Sequence, residues 1–340
     1  MQRGFGVSVV VSELVGRLRA VGVGAVAGAL EIDGDFEAPS VSRVSAEAEA
    51  VASLAERHDC HTIVAQTSPF FELLPELAAR FDCWAWEHGD PTPAFFDADR
   101  EARRQVIDNK RRHVYPAVTG VIASSEFLRF DVGWDACSVV HLAADHAPDR
   151  GCKPLTAWLP RDGRRLRVGT LMRLGVGEAK YKGNQLFRQI KTVCDRAGLG
   201  CDFSVMGRGR PSDAASFQKE GIEAHLSASD EQKWEYLRGL DVFISCSLWE
   251  GFNLPLAEAQ ALGTVGLAFD VGAHPEVTPF VMGGVADVVR QLRAYLGDSD
   301  LLRRHSSVAY RFVRSRFSWR LATQRLLEAV AGRTARDHEA

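Results

Sequence analysis

The densest run of chemically useful residues is 240–263, LDVFISCSLWEGFNLPLAEAQALG. An apolar strand ends in Ser245-Cys246-Ser247, a short loop carries Glu250-Gly251-Phe252-Asn253, and Pro255 stands in the first turn of a helix, where its missing N–H costs nothing. The unpaired N–H groups and positive dipole end of such a helix start suit a diphosphate. Gly251 and Asn253 are residue types that let backbone approach a ligand closely or adopt left-handed conformations. Glu250 follows the carboxyl end of the strand and Glu258 falls in the first helical turn, so both can face one ligand spanning the loop. Carboxylates accept paired hydrogen bonds from vicinal hydroxyls, which is the chemistry of sugar recognition.

These residues need elements to hold them. Short apolar runs alternate with amphipathic stretches along the chain, the pattern of parallel α/β folding. In the first half, strands are expected near 24–29, 62–65, 83–87, 120–123 and 138–142, with helices such as 8–21 and 47–57. In the second, strands are expected near 165–172, 201–206, 224–226, 242–245 and 265–269, and helices near 184–197, 231–237, 255–262, 285–296 and 318–331. Residues 147–164 carry three prolines and two glycines and read as a linker. Two parallel α/β units joined in this way leave a cleft at the carboxyl ends of their strands, where ligands bind in open sheets. The chain opens on a loop, Gln2-Arg3-Gly4-Phe5-Gly6, and then a helix, where a unit of this kind normally opens on a strand. Either that strand is absent or the sheet begins differently.

The segment 240–263 resembles the E-x7-E motif of retaining GT-B glycosyltransferases, in particular family 4 (glycosyl transferases group 1). There a strand of the type "aDvfvlPS" precedes "EGFGLPLLEAMA.G", and Asn253 stands where the family commonly has Gly. The resemblance implies two Rossmann-like parallel-sheet domains facing across a cleft. It divides the chain into an acceptor-binding domain 1–148, a linker 149–164, a nucleotide-sugar domain 165–317 and a last helix 318–340, opening at Phe317-Ser318-Trp319, that crosses back onto the first domain. It also implies that Glu258 grips the ribose hydroxyls and Glu250 those of the donor sugar, with Gly251, Phe252, Asn253 and Leu254 offering backbone to sugar and phosphate. A second match is 165–187, RLRVGTLMRLGVGEAKYKGNQLF: Arg173 and Lys182 fill the positions that neutralise the diphosphate leaving group, although Met172 replaces a usual Gly. Lys180 competes for the role, and Gly183 after Lys182 favours the latter. The turn at Gly207-Arg208-Gly209 resembles the "vvGdGp" turn bordering the nucleotide, with Arg208 in place of an acid, and Leu226 ends the strand that flanks the base. Gly272-Ala273-His274-Pro275-Glu276 resembles the "GG.PE" loop, in which His274 reads as a turn residue.

In the first half, His88 ends a strand where relatives place a His near the donor sugar; a His satisfied by local backbone is the alternative. Asp90 offers an acceptor for a substrate hydroxyl, and Gly4 and Gly6 resemble a glycine loop that approaches diphosphate and acceptor. The expected function is transfer of a glycosyl group from a UDP- or GDP-linked sugar to an acceptor hydroxyl with retained configuration. The alternative is a degenerate homologue that binds nucleotide sugar or a partner without turnover. No cofactor or metal is expected: HExxH, Walker and GxSxG motifs are absent, and Asp33-Gly34-Asp35 and Asp97-Ala98-Asp99 read as solvent-facing turns. A dehydrogenase is disfavoured because no GxGxxG follows a strand. Net charge of −3 gives no electrostatic case for nucleic acid. Seven dispersed cysteines without a CxxC pair read as reduced thiols of a cytoplasmic protein. The six basic residues of 100–112 read as a solvated helix face, with membrane-surface contact as the other possibility. Only seven of the forty-one basic residues are Lys, a vocabulary of GC-rich coding that fits a bacterial source.

Overall fold

Continuous apolar strands and one-sided amphipathic helices are satisfied together when parallel strands are covered by helices on both faces. The computed structural model describes Met1 and residues 6–33, 40–154, 165–175, 180–226 and 228–337. They fall into two units, one of Met1–Pro93, Asp99–Ala143 and Phe317–Ala340, the other of Ala94–Ala98 and Ala144–Arg316.

The first unit begins with α1 (Gly6–Ala20) and a parallel pair, β1 (Ala27–Ala29) and β2 (Val41–Arg43). Then come α2 (Ala48–Arg57), β3 (Thr62–Ala65), α3 (Leu74–Leu77), β4 (Asp82–Glu87), α4 (Arg100–Asn109), β5 (Gly120–Ala123), α5 (Glu126–Asp131) and β6 (Cys137–Val139). β3 to β6 form a parallel sheet in chain order. Its centre reads as unbroken apolar sequence because β4 is buried on both faces, with Trp84 and Trp86 inaccessible to solvent. The basic run after Asp99 is largely the solvent-facing helix expected, α4 having no buried residue, and its exception is Lys110 just past the helix. Arg103 pairs with Asp99, Arg104 with Glu101, and Arg111 donates to the Asp131 and Val132 carbonyls, while Lys110 is buried.

The second unit holds β7 (Leu166–Leu171), α6 (Asn184–Arg196), β8 (Cys201–Gly207), α7 (Pro211–Gln218), β9 (Glu223–Leu226) and α8 (Asp230–Gly239). It continues through β10 (Val242–Ser245), α9 (Leu254–Ala261), β11 (Val265–Phe269), α10 (His274–Val277), β12 (Val281–Met282), α11 (Val285–Gly297) and α12 (Ser299–Arg316). Its six strands are parallel in the order β12-β11-β10-β7-β8-β9. From β7 the chain builds outward one way through β8 and β9, then returns to build the other way through β10, β11 and β12. The switch point lies between β7 and β10, paired at Val242↔Val168 and Phe243↔Gly169. In open α/β sheets that is where a crevice forms at the carboxyl ends. Local signals act as read: Ser229 and Gln232 form a capping box at the start of α8.

The last helix, α13 (Trp319–Asp337), belongs to the first unit and packs beside α1. Of the expected linker, residues 155–164 lie outside those described. Residues before them are tied to the second unit, where Arg314 donates to the Ala147 carbonyl and Tyr310 to Asp149. No element is expected from the sequence over β2, β12, α7 or α12. The two strands are too short to show a period, and the buried stripe of α12 includes Ser306 and Ala309, which a hydrophobic pattern does not mark. Among the described residues no helix is long and apolar enough to cross a membrane.

Candidate functional site

The segments that leave β7 and β10 meet at the switch point. Lys182 Nζ donates to Glu250 Oε1 at 2.8 Å across 68 residues of chain. The backbone explains the meeting. Gly183 has φ 73°, and a Cβ there would run into the Cys246 carbonyl, so only glycine lets the start of α6 lie against the end of β10. Leu248 N donates to the Tyr181 carbonyl at 2.7 Å, closing the same contact. Beneath the ammonium lies the Tyr181 ring, 4.9 Å from Nζ, itself packed on Phe96 at 5.6 Å. Burial would raise the Glu250 pKa, but Lys182 foremost holds it below the ordinary carboxylate value. The result is an ionised, mostly buried pair: a cation for an anionic group and a carboxylate for hydroxyls, side by side.

The loop after Glu250 is held by a buried polar frame. Asn253 is left-handed (φ 76°, ψ 70°), its Oδ1 accepts from Leu256 N at 3.1 Å to cap α9, and its Nδ2 donates to Ser245 Oγ at 2.8 Å. The same amide lies 2.9 Å from His274 Nε2. His274 Nδ1 faces the Phe269 carbonyl at 2.9 Å, which can only accept, so Nδ1 carries the proton and Nε2 accepts. Burial above all holds the His274 pKa below its ordinary value. His274 is therefore a neutral member of the frame. Gly272, at φ 56°, lets the following turn press on Glu250, whose carbonyl accepts from Ala273 N at 3.0 Å.

Glu258 lies in the second turn of α9 rather than the first, because the helix begins at Leu254. Its carboxylate is buried and takes different partners from Glu250: His146 Nε2 at 2.8 Å and Lys233 Nζ at 3.1 Å. Burial opposes ionisation, yet Lys233 first and His146 next bring its pKa down to about 2. A carboxyl depressed in the folded state gives stability that is complete above its unfolded value near 4.5 and disappears as pH falls toward 2. Wild type is expected to lose on the order of 3 kcal/mol across that window through this group. Glu258→Gln should lack that component, which melting curves of both proteins between pH 5 and pH 2.5 would reveal; parallel curves would refute the assignment.

The other expected residues are placed as follows. Arg173 is exposed two positions beyond β7, where Met172 N bonds the Met206 carbonyl. Gly207 ends β8, so close to Met172 that a Cβ would strike its carbonyl, and Arg208 beyond it is exposed. Leu226 ends β9 and packs against the core of the unit. Gly251, Phe252 and Leu254 are buried within the loop and the first turn of α9. Gly6 is the exposed first residue of α1, and Gly4 lies outside the described residues. His146 and Lys233, which complete the Glu258 cluster, carry no signal in sequence: one stands just before the expected linker, the other on an ordinary helix.

The first unit has a cavity of its own, about 360 Å³, lined among others by Gln66, His88, Asp90, Arg103 and Lys110. His88 Nε2 lies 2.7 Å from Gln66 Oε1, and Nδ1 lies 3.2 Å from Ser124 Oγ, so the side chain is held by other side chains rather than by local backbone. Burial, then Lys110, lowers its pKa to about 4, which keeps the imidazole neutral at pH 7. Lys110 is itself buried and bonds both oxygens of buried Glu87, at 2.8 and 3.0 Å, and also Asp90. Tyr115 donates to Glu87 at 2.7 Å. Asp90, expected to face a substrate hydroxyl, is thus also a counter-ion. Among the described residues no three His, Cys, Asp or Glu side chains gather to hold a metal ion.

Comparison with known proteins fits this geometry. Residues 168–296 match the family model of the glycosyl transferases group 1, a span that contains Arg173, Lys182, Glu250 and Glu258. No curated protein matches the chain by sequence. Solved structures resemble it over nearly its whole length. Sucrose-phosphate synthase from Thermosynechococcus elongatus aligns at 15% identity over 97% of this chain and 94% of its own, with TM-score 0.77. The Anabaena protein HepE, solved with UDP and glucose, aligns at 14% identity over 98% and 97%, with TM-score 0.73. A glycosyltransferase from Rickettsia africae aligns at 14% identity over 98% and 96%, with TM-score 0.71. The chain has the α/β GT-B fold, with a Rossmann-like parallel sheet in each unit, and its second unit matches the glycosyl transferases group 1.

Proposed function

We propose that this protein transfers a glycosyl group from a UDP- or GDP-linked sugar to an acceptor hydroxyl with retention of anomeric configuration. The observation that carries the proposal is the Lys182–Glu250 pair at the β7/β10 switch point. When the bond from the anomeric carbon to the diphosphate breaks, negative charge gathers on the leaving group. Lys182 and Arg173 offset it, together with the α9 N-terminus, in place of a metal ion. Glu250 holds hydroxyls of the sugar and Glu258 those of the ribose. The acceptor oxygen then bonds the anomeric carbon from the face the diphosphate leaves, and its proton passes to a phosphate oxygen. Glu250 is not assigned as a covalent nucleophile. The cavity of the first unit, with Asp90 in its wall, is assigned to the acceptor.

The test is incubation of the protein with UDP- and GDP-sugars and a panel of hydroxyl acceptors in the presence of a chelator. Nucleoside diphosphate release that depends on acceptor, with product of unchanged anomeric configuration by NMR, is expected. Inverted product would remove the retaining assignment, and loss of turnover on chelation would remove the metal-independent one.

A further inference from the structure

Glu258 is 3% exposed, and the two donors that reach it, His146 and Lys233, converge on Oε1. Among the described residues Oε2 receives no hydrogen bond. Lys233 is held from a second side: its ammonium sits 3.8 Å above the Trp234 ring, and His146 packs edge-on against the same ring at 5.6 Å. Carboxylate, ammonium and indole therefore form one rigid group, with an acceptor (Oε2) and a three-proton donor (Nζ) side by side. A hydroxyl fits such a pair, donating to the carboxylate while accepting from the ammonium. A methylene in its place does neither.

We propose that Lys233 is a specificity-determining residue that reads a ribose hydroxyl jointly with Glu258, so that the second unit selects ribonucleoside diphosphates over their deoxy counterparts. The inference rests on the assignment of Glu258 to the ribose and extends it to the cation beside it. A purely structural Lys233 acts only by supplying charge to Glu258, so Lys233→Arg, which keeps that charge, would keep the discrimination in full; a reading Lys233 loses part of it when the ammonium is replaced.

The experiment is calorimetric titration of the full chain with UDP, 2′-deoxy-UDP and 3′-deoxy-UDP, and with the guanosine set if GDP binds more tightly. Wild type is expected to favour the ribonucleotide over at least one deoxy analogue by about tenfold or more, the weight of a hydrogen bond to a charged group. In Lys233→Met the ribonucleotide should weaken by about tenfold while that analogue changes little, so the ratio collapses toward one. Lys233→Arg should keep part of the discrimination. Lys233→Gln, neutral but polar, carries the same comparison if the Met variant does not fold. A ratio unchanged between wild type and variant overturns the inference and leaves the ribose assignment standing. Failure of wild type to bind any of the nucleotides overturns both.

Discussion

Lys182→Ala is expected to lower turnover at saturating donor by at least about a hundredfold, on the order of 3 kcal/mol, the usual effect of removing a preorganised group that meets charge developing in a transition state. The loss has two parts. The departing diphosphate loses a cation, and Glu250, mostly buried, loses the partner that offsets its burial. The second part has a pH signature of its own. In wild type the Glu250 pKa is depressed, so its stability contribution is present above the unfolded value and lost as pH falls. Without Lys182, burial dominates and raises the pKa, so the variant should instead lose stability as pH rises through the raised value toward neutrality. Steady-state kinetics and melting curves from pH 4 to 8 measure the two effects. Full turnover in the variant would end the leaving-group role; an unchanged pH profile of stability would show that the ion pair is not what keeps Glu250 ionised.

Lys110→Met is expected to destabilise the first unit by about 3–5 kcal/mol, lowering its melting temperature by roughly 10 °C. Lys110 is fully enclosed and is the shared counter-ion of Glu87 and Asp90. Removing it leaves Glu87 buried with only the Tyr115 hydroxyl, and burial already pushes the Glu87 carboxyl above its ordinary range. The double change Lys110→Met with Glu87→Leu should recover much of the loss, because an apolar pair of similar volume needs no desolvated charge. Differential scanning calorimetry of the three proteins decides the matter. A single variant as stable as wild type would mean that water reaches Glu87.

The local parts of the site were open to reading because local chemistry creates them. Pro255 and Asn253 start α9 whatever surrounds them, Ser229 and Gln232 cap α8, and the apolar runs of β7, β10 and β11 have no other use than as covered parallel strands. Gly183 marks Lys182 in the sequence, but its reason, backbone contact with Cys246, involves a residue 63 positions away. The sequence shows Asp90 as a candidate ligand, whereas its role as counter-ion depends on Lys110 arriving from just past the end of α4. The basic run 100–112 faces solvent as its charge suggests except at Lys110, because charge counts do not tell which single side chain turns inward.

The sequence by itself determined where most of the strands and helices run, and that Glu250 and Lys182 stand in the segments just beyond β10 and just before α6, since backbone propensity, capping and apolar period act over a few residues. Tertiary structure alone decided who meets whom. Lys182 pairs with Glu250, His146 and Lys233 converge on Glu258, and Lys110 serves two carboxylates, because a buried charge must find its partner in space and the distance along the chain to that partner is set by the order of the strands.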